Sequence, residues 1–137
     1  MKSFFKDSAR LLLMIIVFAM GCRSADSDDT NAALSVSMVN LIENVHNYGG
    51  KRVHVGGYLG VDMNLYLSKE HANAFDMKSS IPISDTDRGD IESSPCVRSF
   101  VFIEGRLAET DTDLYTLVDV SSVIQSGREG QVCLHRE

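Results

Sequence analysis

The sequence is short of bases, with 13 lysines and arginines against 19 acidic residues, and holds three cysteines in 137 residues. It also lacks the short motifs that usually reveal catalysis. No G-x-S-x-G elbow, Walker loop or dinucleotide fingerprint occurs, so neither a strained nucleophile turn nor a glycine cradle for phosphate is written in the chain. His46, His54, His71 and His135 form neither H-x-x-x-H nor H-E-x-x-H, the spacings that aim two imidazoles at one metal from a helix. The carboxylates are plentiful, yet no two stand at a defined spacing on one inferred face, as acid–base catalysis requires. No catalytic residue and no cofactor follow from the sequence. Long apolar runs are missing too. Leu11–Met20 is only ten residues long, whereas a hydrocarbon core about 30 Å thick needs roughly 20.

What that run does have is context. Lys2, Lys6 and Arg10 precede it, with Asp7 the one acid among them. A basic segment followed by roughly 7–15 apolar residues is the plan of a secretory signal peptide. A buried core helix would show polar residues at a 3.6-residue period, and this run shows none. Ala19 and Gly21 are small residues at the −3 and −1 positions of a cut before Cys22, which suits an ordinary signal peptidase. The segment Ala19-Met-Gly-Cys22 also resembles a bacterial lipobox, the motif whose cysteine receives a diacylglycerol thioether and becomes the first residue. Gly21 and Cys22 fit that motif well, while Ala19 and Met20 are less common occupants of their places.

Cysteine parity separates the two outcomes. Plain secretion leaves one thiol of three unpaired in an oxidising compartment; acylation of Cys22 leaves Cys96 and Cys133 as a possible pair. Such a bridge closes a loop of nearly 40 residues, worth about 3–4 kcal/mol in the chain-entropy treatment. A zinc site from Cys96, Cys133 and His135 is the competing use of the same residues, and export favours the disulfide. The expected organisation is thus a signal peptide over residues 1–21, a tether over 22–33 and a domain over 34–137. Residues 23–31 contain no large apolar side chain and cannot bury anything. Arg23 follows the cysteine where an Asp is the usual inner-membrane retention signal of Gram-negative lipoproteins. Its absence points to the outer membrane, with the domain facing the periplasm.

Removing residues 1–21 takes Lys2, Lys6 and Arg10 from the 13 bases and Asp7 from the 19 acids, leaving 10 against 18 and a net charge of −8. Such a surface repels nucleic acid and anionic head groups. Within the domain, Met38, Leu41, Ile42 and Val45 fall on one face of a helix over residues 37–47, with Ser37 as N-cap and Gly49-Gly50 as its stop. Residues 51–61 alternate: Val53, Val55, Leu59 and Val61 on one side, Arg52, His54 and Tyr58 on the other. Residues 65–67 repeat the alternation, 68–75 read as a short helix capped by Ser68, and 81–83 as an edge strand because Pro82 cannot donate to a ladder. Residues 84–95 read as an acidic loop, and 98–107 and 114–124 as the last strands.

Val53-His-Val-Gly-Gly-Tyr-Leu59 and Val101-Phe-Ile-Glu-Gly-Arg-Leu107 share V-x-[VI]-x-G-x-L. A glycine on the inward side of a strand marks a bulge or a barrel corner. Gly57 and Gly105 therefore predict two strands bent at matching places, as in a small barrel. Together with Tyr48–Leu59, Leu65–Glu70 and Phe100–Leu107, this pattern resembles the small OB-fold-like domains of exported bacterial proteins, over roughly residues 36–124. The resemblance implies a mainly β, OB-like closed barrel of about five strands, with an N-terminal helix and a short inserted helix. It rests on structural glycines and core residues, so it is silent on activity.

The candidate ligand face gathers Arg52, His54, Tyr58, Tyr66, Phe100 and Phe102, with Arg98 and Arg106 near, all expected opposite the core. In nucleic-acid-binding OB folds aromatics there stack bases, but the charge and compartment argue against that ligand. Coverage of Phe100 and Phe102 by the helix, as a second small core, is the preferred alternative. The acidic run 85–92 departs from the EF-hand pattern, since Gly89 occupies the fifth position, where a ligand belongs. The sequence therefore predicts a membrane-anchored, non-catalytic module that binds an envelope protein or small ligand. A small periplasmic enzyme or metal-dependent factor is the alternative, and a purely structural lipoprotein a third.

Overall fold

The structure is a computed structural model that describes residues 32–127 and 129–137. The signal peptide, Cys22 and the tether as far as residue 31 lie outside the described residues. Its centre is β2, Arg52–Leu59, in which the period-two pattern turns Val53, Val55, Gly57 and Leu59 inward and leaves Arg52, His54, Gly56 and Tyr58 partly exposed. β5, Phe100–Glu109, runs antiparallel beside it, and Val101, Ile103 and Leu107 are fully buried. Each such side chain contributes about 1.5–3 kcal/mol on leaving water.

Five shorter or later strands complete one seven-stranded sheet: β1 (Leu34–Val36), β3 (Asn64–Tyr66), β4 (Ser80–Pro82), β6 (Tyr115–Gln125) and β7 (Val132–His135). The order is β4-β3-β2-β5-β6-β7, with β1 parallel to β2 and every other pairing antiparallel. On one edge of β2, residues 53–55 pair with β1 and residues 58–59 with β3, so Gly57 falls between the two partners. A Cβ at Gly57 would lie 2.8 Å from both Leu65 Cγ and the Tyr66 carbonyl oxygen, and only glycine admits β3 that closely. In β5 the pairing with β6 shifts register between Glu104 and Arg106, a bulge centred on Gly105.

The fold is mainly β, as expected, but the described residues form seven strands rather than about five, and among them β4 and β7 do not pair to close the sheet. The sheet curls nonetheless. Ile83, just beyond β4, forms a single parallel bridge with Leu117 of β6. Beside it Ser84 N donates to the Leu117 carbonyl at 2.8 Å, and Thr116 Oγ1 to the Pro82 carbonyl at 2.9 Å. Pro82 occupies the end strand, where its missing N–H costs no ladder bond.

The expected first helix is present as α1, Met38–Glu43, followed by a 3₁₀ turn over Val45–Tyr48; the Ser37 hydroxyl accepts from Asn40 N at 3.2 Å, and Met38 and Leu41 enter the core. The inserted helix, α2, is Lys69–Asn73, with Ser68 accepting from His71 N at 3.5 Å. Residues 84–95 correct the sequence expectation. Asp85–Glu92 is a third helix, α3, which buries Asp87 and Ile91. Its first turn carries Asp85 and Asp87, where the helix dipole favours negative charge. Tertiary contacts supply what the composition withheld. Asp87 accepts from Ser84 Oγ at 2.7 Å and from Arg136 Nη1 at 2.6 Å, and Arg136 also binds Asp90. Cys96 and Cys133 are bonded, with Sγ–Sγ 1.95 Å and Cα–Cα 6.1 Å, which ties β7 to the segment between α3 and β5.

Candidate functional site

The outer face of β2 and β5 brings four of the nominated residues together. Tyr58 stands directly opposite Phe100, and Gly56 opposite Phe102. His54 stacks on Phe102 with ring centroids 5.7 Å apart and planes at 9°, while Phe100 meets Phe102 edge-on at 6.0 Å. Gly56 makes the arrangement possible. A Cβ there would lie 2.9 Å from a Phe102 ring carbon and 3.2 Å from one of Phe100, so its hydrogen lets both rings settle over the strand.

Phe100 and Phe102 are 42% and 40% exposed, so the expected covering helix is absent from them. The cause is placement: α1 spends its apolar side, Met38 and Leu41, on the core behind the sheet. The apolar row continues in register beyond the nominated residues. Phe102 faces Ile124 of β6, and Ile124 faces Val132 of β7, itself 58% exposed. Sequence reasoning missed Ile124 and Val132, because their alignment with Phe102 exists only once the three strands pair.

Arg52 lies beside this row but is already engaged, 3.2 Å from Glu104 and 2.6 Å from the Ser121 hydroxyl. Arg106 pairs with Asp119 at 2.7 Å. Arg52 and Arg106 are thus neutralised within the fold, which leaves Arg98 alone of the three nearby arginines and thins the cationic frame that single-stranded nucleic acid needs.

Tyr66 departs from the expected face. It is fully buried, in a three-residue strand covered on both sides, and its hydroxyl donates to Asp62 Oδ2 at 2.5 Å. Burial, together with the neighbouring Asp62 carboxylate, pushes that hydroxyl far above its ordinary value of 10.0. Asp62 moves the other way. Burial opposes its ionisation, but hydrogen bonds from Tyr66 and Asn64 outweigh it and hold the carboxyl below its usual 3.8. This is a structural pair, closed to a ligand.

The other candidates divide similarly. His46 Nδ1 lies 3.1 Å from the Tyr115 hydroxyl, and His71 lies 2.9 Å from the Ser68 hydroxyl that caps α2. The carboxylates of the acidic run are turned to Arg136 and Arg88 rather than gathered around a point. No group of three or more metal-capable side chains occurs among the described residues. Bonding between Cys96 and Cys133 takes both sulfurs from any metal. Cys22 lies outside the described residues. No helix among the described residues is long and apolar enough to cross a membrane.

No protein-family model, no curated protein and no solved structure matches the chain.

Proposed function

We propose that this chain is a bacterial lipoprotein, anchored through acylated Cys22 to the envelope, whose domain is a non-catalytic binding module. The observation that carries binding is the apolar row Gly56–Phe102–Ile124–Val132 crossing four strands, with Phe102 stacked on His54, Phe100 edge-on to Phe102, and both phenylalanines about two-fifths exposed. Aromatic side chains held in fixed rotamers lose little entropy on association, and such groups concentrate at the centres of interfaces. The anchor is supported by the basic segment, the short apolar run and the Ala19–Cys22 motif, and by the parity of cysteines once Cys96 and Cys133 are paired. The curled sheet with its Ile83–Leu117 seam favours an OB-like barrel, and Arg23 after the cysteine favours the outer membrane, facing the periplasm.

Two measurements test this. Intact mass of the membrane-extracted protein should start at Cys22 and carry acyl groups; an unmodified Cys22 defeats the anchor. A photo-crosslinking residue in place of Phe102 should yield one discrete adduct in cells, and the same residue in place of exposed Val39 on α1 should not. Equal labelling from both positions would show that the aromatic face is not a binding surface. Stoichiometric metal in the purified protein, by plasma spectrometry, would favour the metal-dependent factor instead.

A further inference from the structure

Beyond Tyr58 the aromatic face runs into a cleft of about 490 Å³, lined by Tyr58, Gly60, Val61, Lys69, Phe75 and Arg98 among others. That volume is in the range of small-molecule sites, which pair apolar walls with a few placed polar groups. Its walls are mixed: Phe75, 59% exposed, and Val61, 44%, give the apolar part, and Lys69, Asn73 and Arg98 the polar part. Its charges are both positive. Among the described residues neither Lys69 nor Arg98 forms an ion pair, whereas Arg52, Arg88, Arg106 and Arg136 all do. Lys51 and Lys78 are unpaired as well, so the distinctive cation is Arg98, the one described arginine without an ion pair, and Lys69 stands beside it on the same cleft.

The backbone supplies an independent observation. Among the described residues five that are not glycine have positive φ: Met63, Phe75, Arg98, Asp113 and Asp119. Aspartate tolerates that region, and Met63 is held there by the core in which it is buried. Phe75, at φ 50°, and Arg98, at φ 65°, both line this cleft; Phe75 takes that conformation in the turn that ends α2, where Asp76 N also binds the His71 carbonyl at 3.0 Å, and Arg98 has no helix end to account for its own. Phe75 follows the end of α2, where glycine is the usual residue, its N–H bound to the Ala72 carbonyl at 3.2 Å; Arg98 N–H binds the Leu59 carbonyl at 2.8 Å. An exposed arginine kept at a left-handed position that glycine would fill more easily points to use of its side chain.

We infer that this cleft binds a small amphipathic anion, a carboxylate or phosphate joined to an apolar or aromatic body. The anionic end meets Lys69 and the Arg98 guanidinium, whose planar donors suit either oxyanion. The apolar body lies between Phe75, Val61 and the Tyr58 ring. This site does not require a partner on the Phe102 face, and either can fail alone. The same chemistry is offered by a free solute and by an anionic lipid head group.

The test is calorimetric titration of the full chain, held in phosphatidylcholine nanodiscs, with 2-naphthoate. Binding should be saturable and weaken with salt, and neutral 2-naphthamide and inorganic phosphate should each bind far more weakly. Lys69→Gln and Arg98→Gln should each raise Kd roughly tenfold or more, the scale of a charged hydrogen bond. The control Lys51→Gln removes an equal charge elsewhere and should leave Kd unchanged. Phe75→Gly and Arg98→Gly should lose affinity without any fall in Tm, since they relieve left-handed strain. Phosphatidylglycerol discs separate the two sources: displacement of 2-naphthoate by them assigns the site to a lipid head group, and no displacement assigns it to a soluble anion. Equal binding of 2-naphthamide, unchanged Kd in the Lys69 and Arg98 variants, or a lowered Tm in both glycine variants would overturn the inference.

Discussion

Arg136 lies between two carboxylates of α3, one of them Asp87 with only 3% of its side chain exposed, while Arg98 has no ion-pair partner among the described residues and a left-handed backbone. The segments around them differ in the same sense. Around Arg136 a disulfide, an ion-pair cluster and β7 lock the C-terminus onto α3 and β6, and the shallow depression of about 740 Å³ there has every arginine side chain engaged. Around Arg98 rings and cations are left facing solvent. A fold of this size can spend charge on holding itself together or leave it available to something else, and this one does both in separate places. The contrast matters for function, because polarity alone would have pointed to the first region and availability points to the second.

The sharpest break in the locked region is Cys133→Ser. Opening a loop whose ends are 37 residues apart should cost about 3–4 kcal/mol, read as a lower urea midpoint in the oxidised protein. A loss under about 1 kcal/mol would mean that Arg136 and the β6–β7 ladder hold the segment without the bond.

Next in size is the contrast between the two arginines. Arg136→Met strands the buried Asp87 carboxylate with Ser84 as its remaining partner and should lower Tm by roughly 5 °C or more. Adding Asp87→Asn should recover part of that loss, because it removes the uncompensated charge. Arg98→Gln should leave Tm within about 2 °C, as for an exposed side chain outside any network. Equal losses from Arg98→Gln and Arg136→Met would erase the distinction between the two regions.

The sequence made the β2–β5 pair legible because burial on one side only leaves a period of two. The shared V-x-[VI]-x-G-x-L even has a geometric meaning. With Val55 opposite Ile103, Gly105 falls opposite Val53 and Gly57 opposite Val101, so each glycine faces the valine that opens the other motif. Tyr66 was misplaced because β3 is covered on both sides, and alternation carries no information there. α3 was hidden because Ile91 is its one buried apolar residue, and its partners are a disulfide segment and an arginine 46 to 49 residues later in the chain. β1 and β7, three and four residues long, are too short to show a period. The cleft was invisible for another reason: nothing in the identity of Phe75 or Arg98 announces a positive φ.

The smallest expected effect concerns the turn that supports the open region, where Asp62 sits beside Val61 and accepts from Tyr66 and Asn64. Its carboxyl is held below the ordinary 3.8, with burial opposing the shift and the Tyr66 hydrogen bond prevailing. Between the two values the unfolded chain binds more protons than the folded one, so stability rises with pH there. The contribution is complete above the unfolded value and fades as pH falls through the folded one. Asp62→Asn should therefore match the parent in acid, below both values, and be less stable by a constant amount from about pH 5 to 8. Urea midpoints measured across that range check the sign directly. A gap that widens on acidification would mean that Asp62 resists ionisation in the fold, and that the turn beside the cleft is held by packing alone.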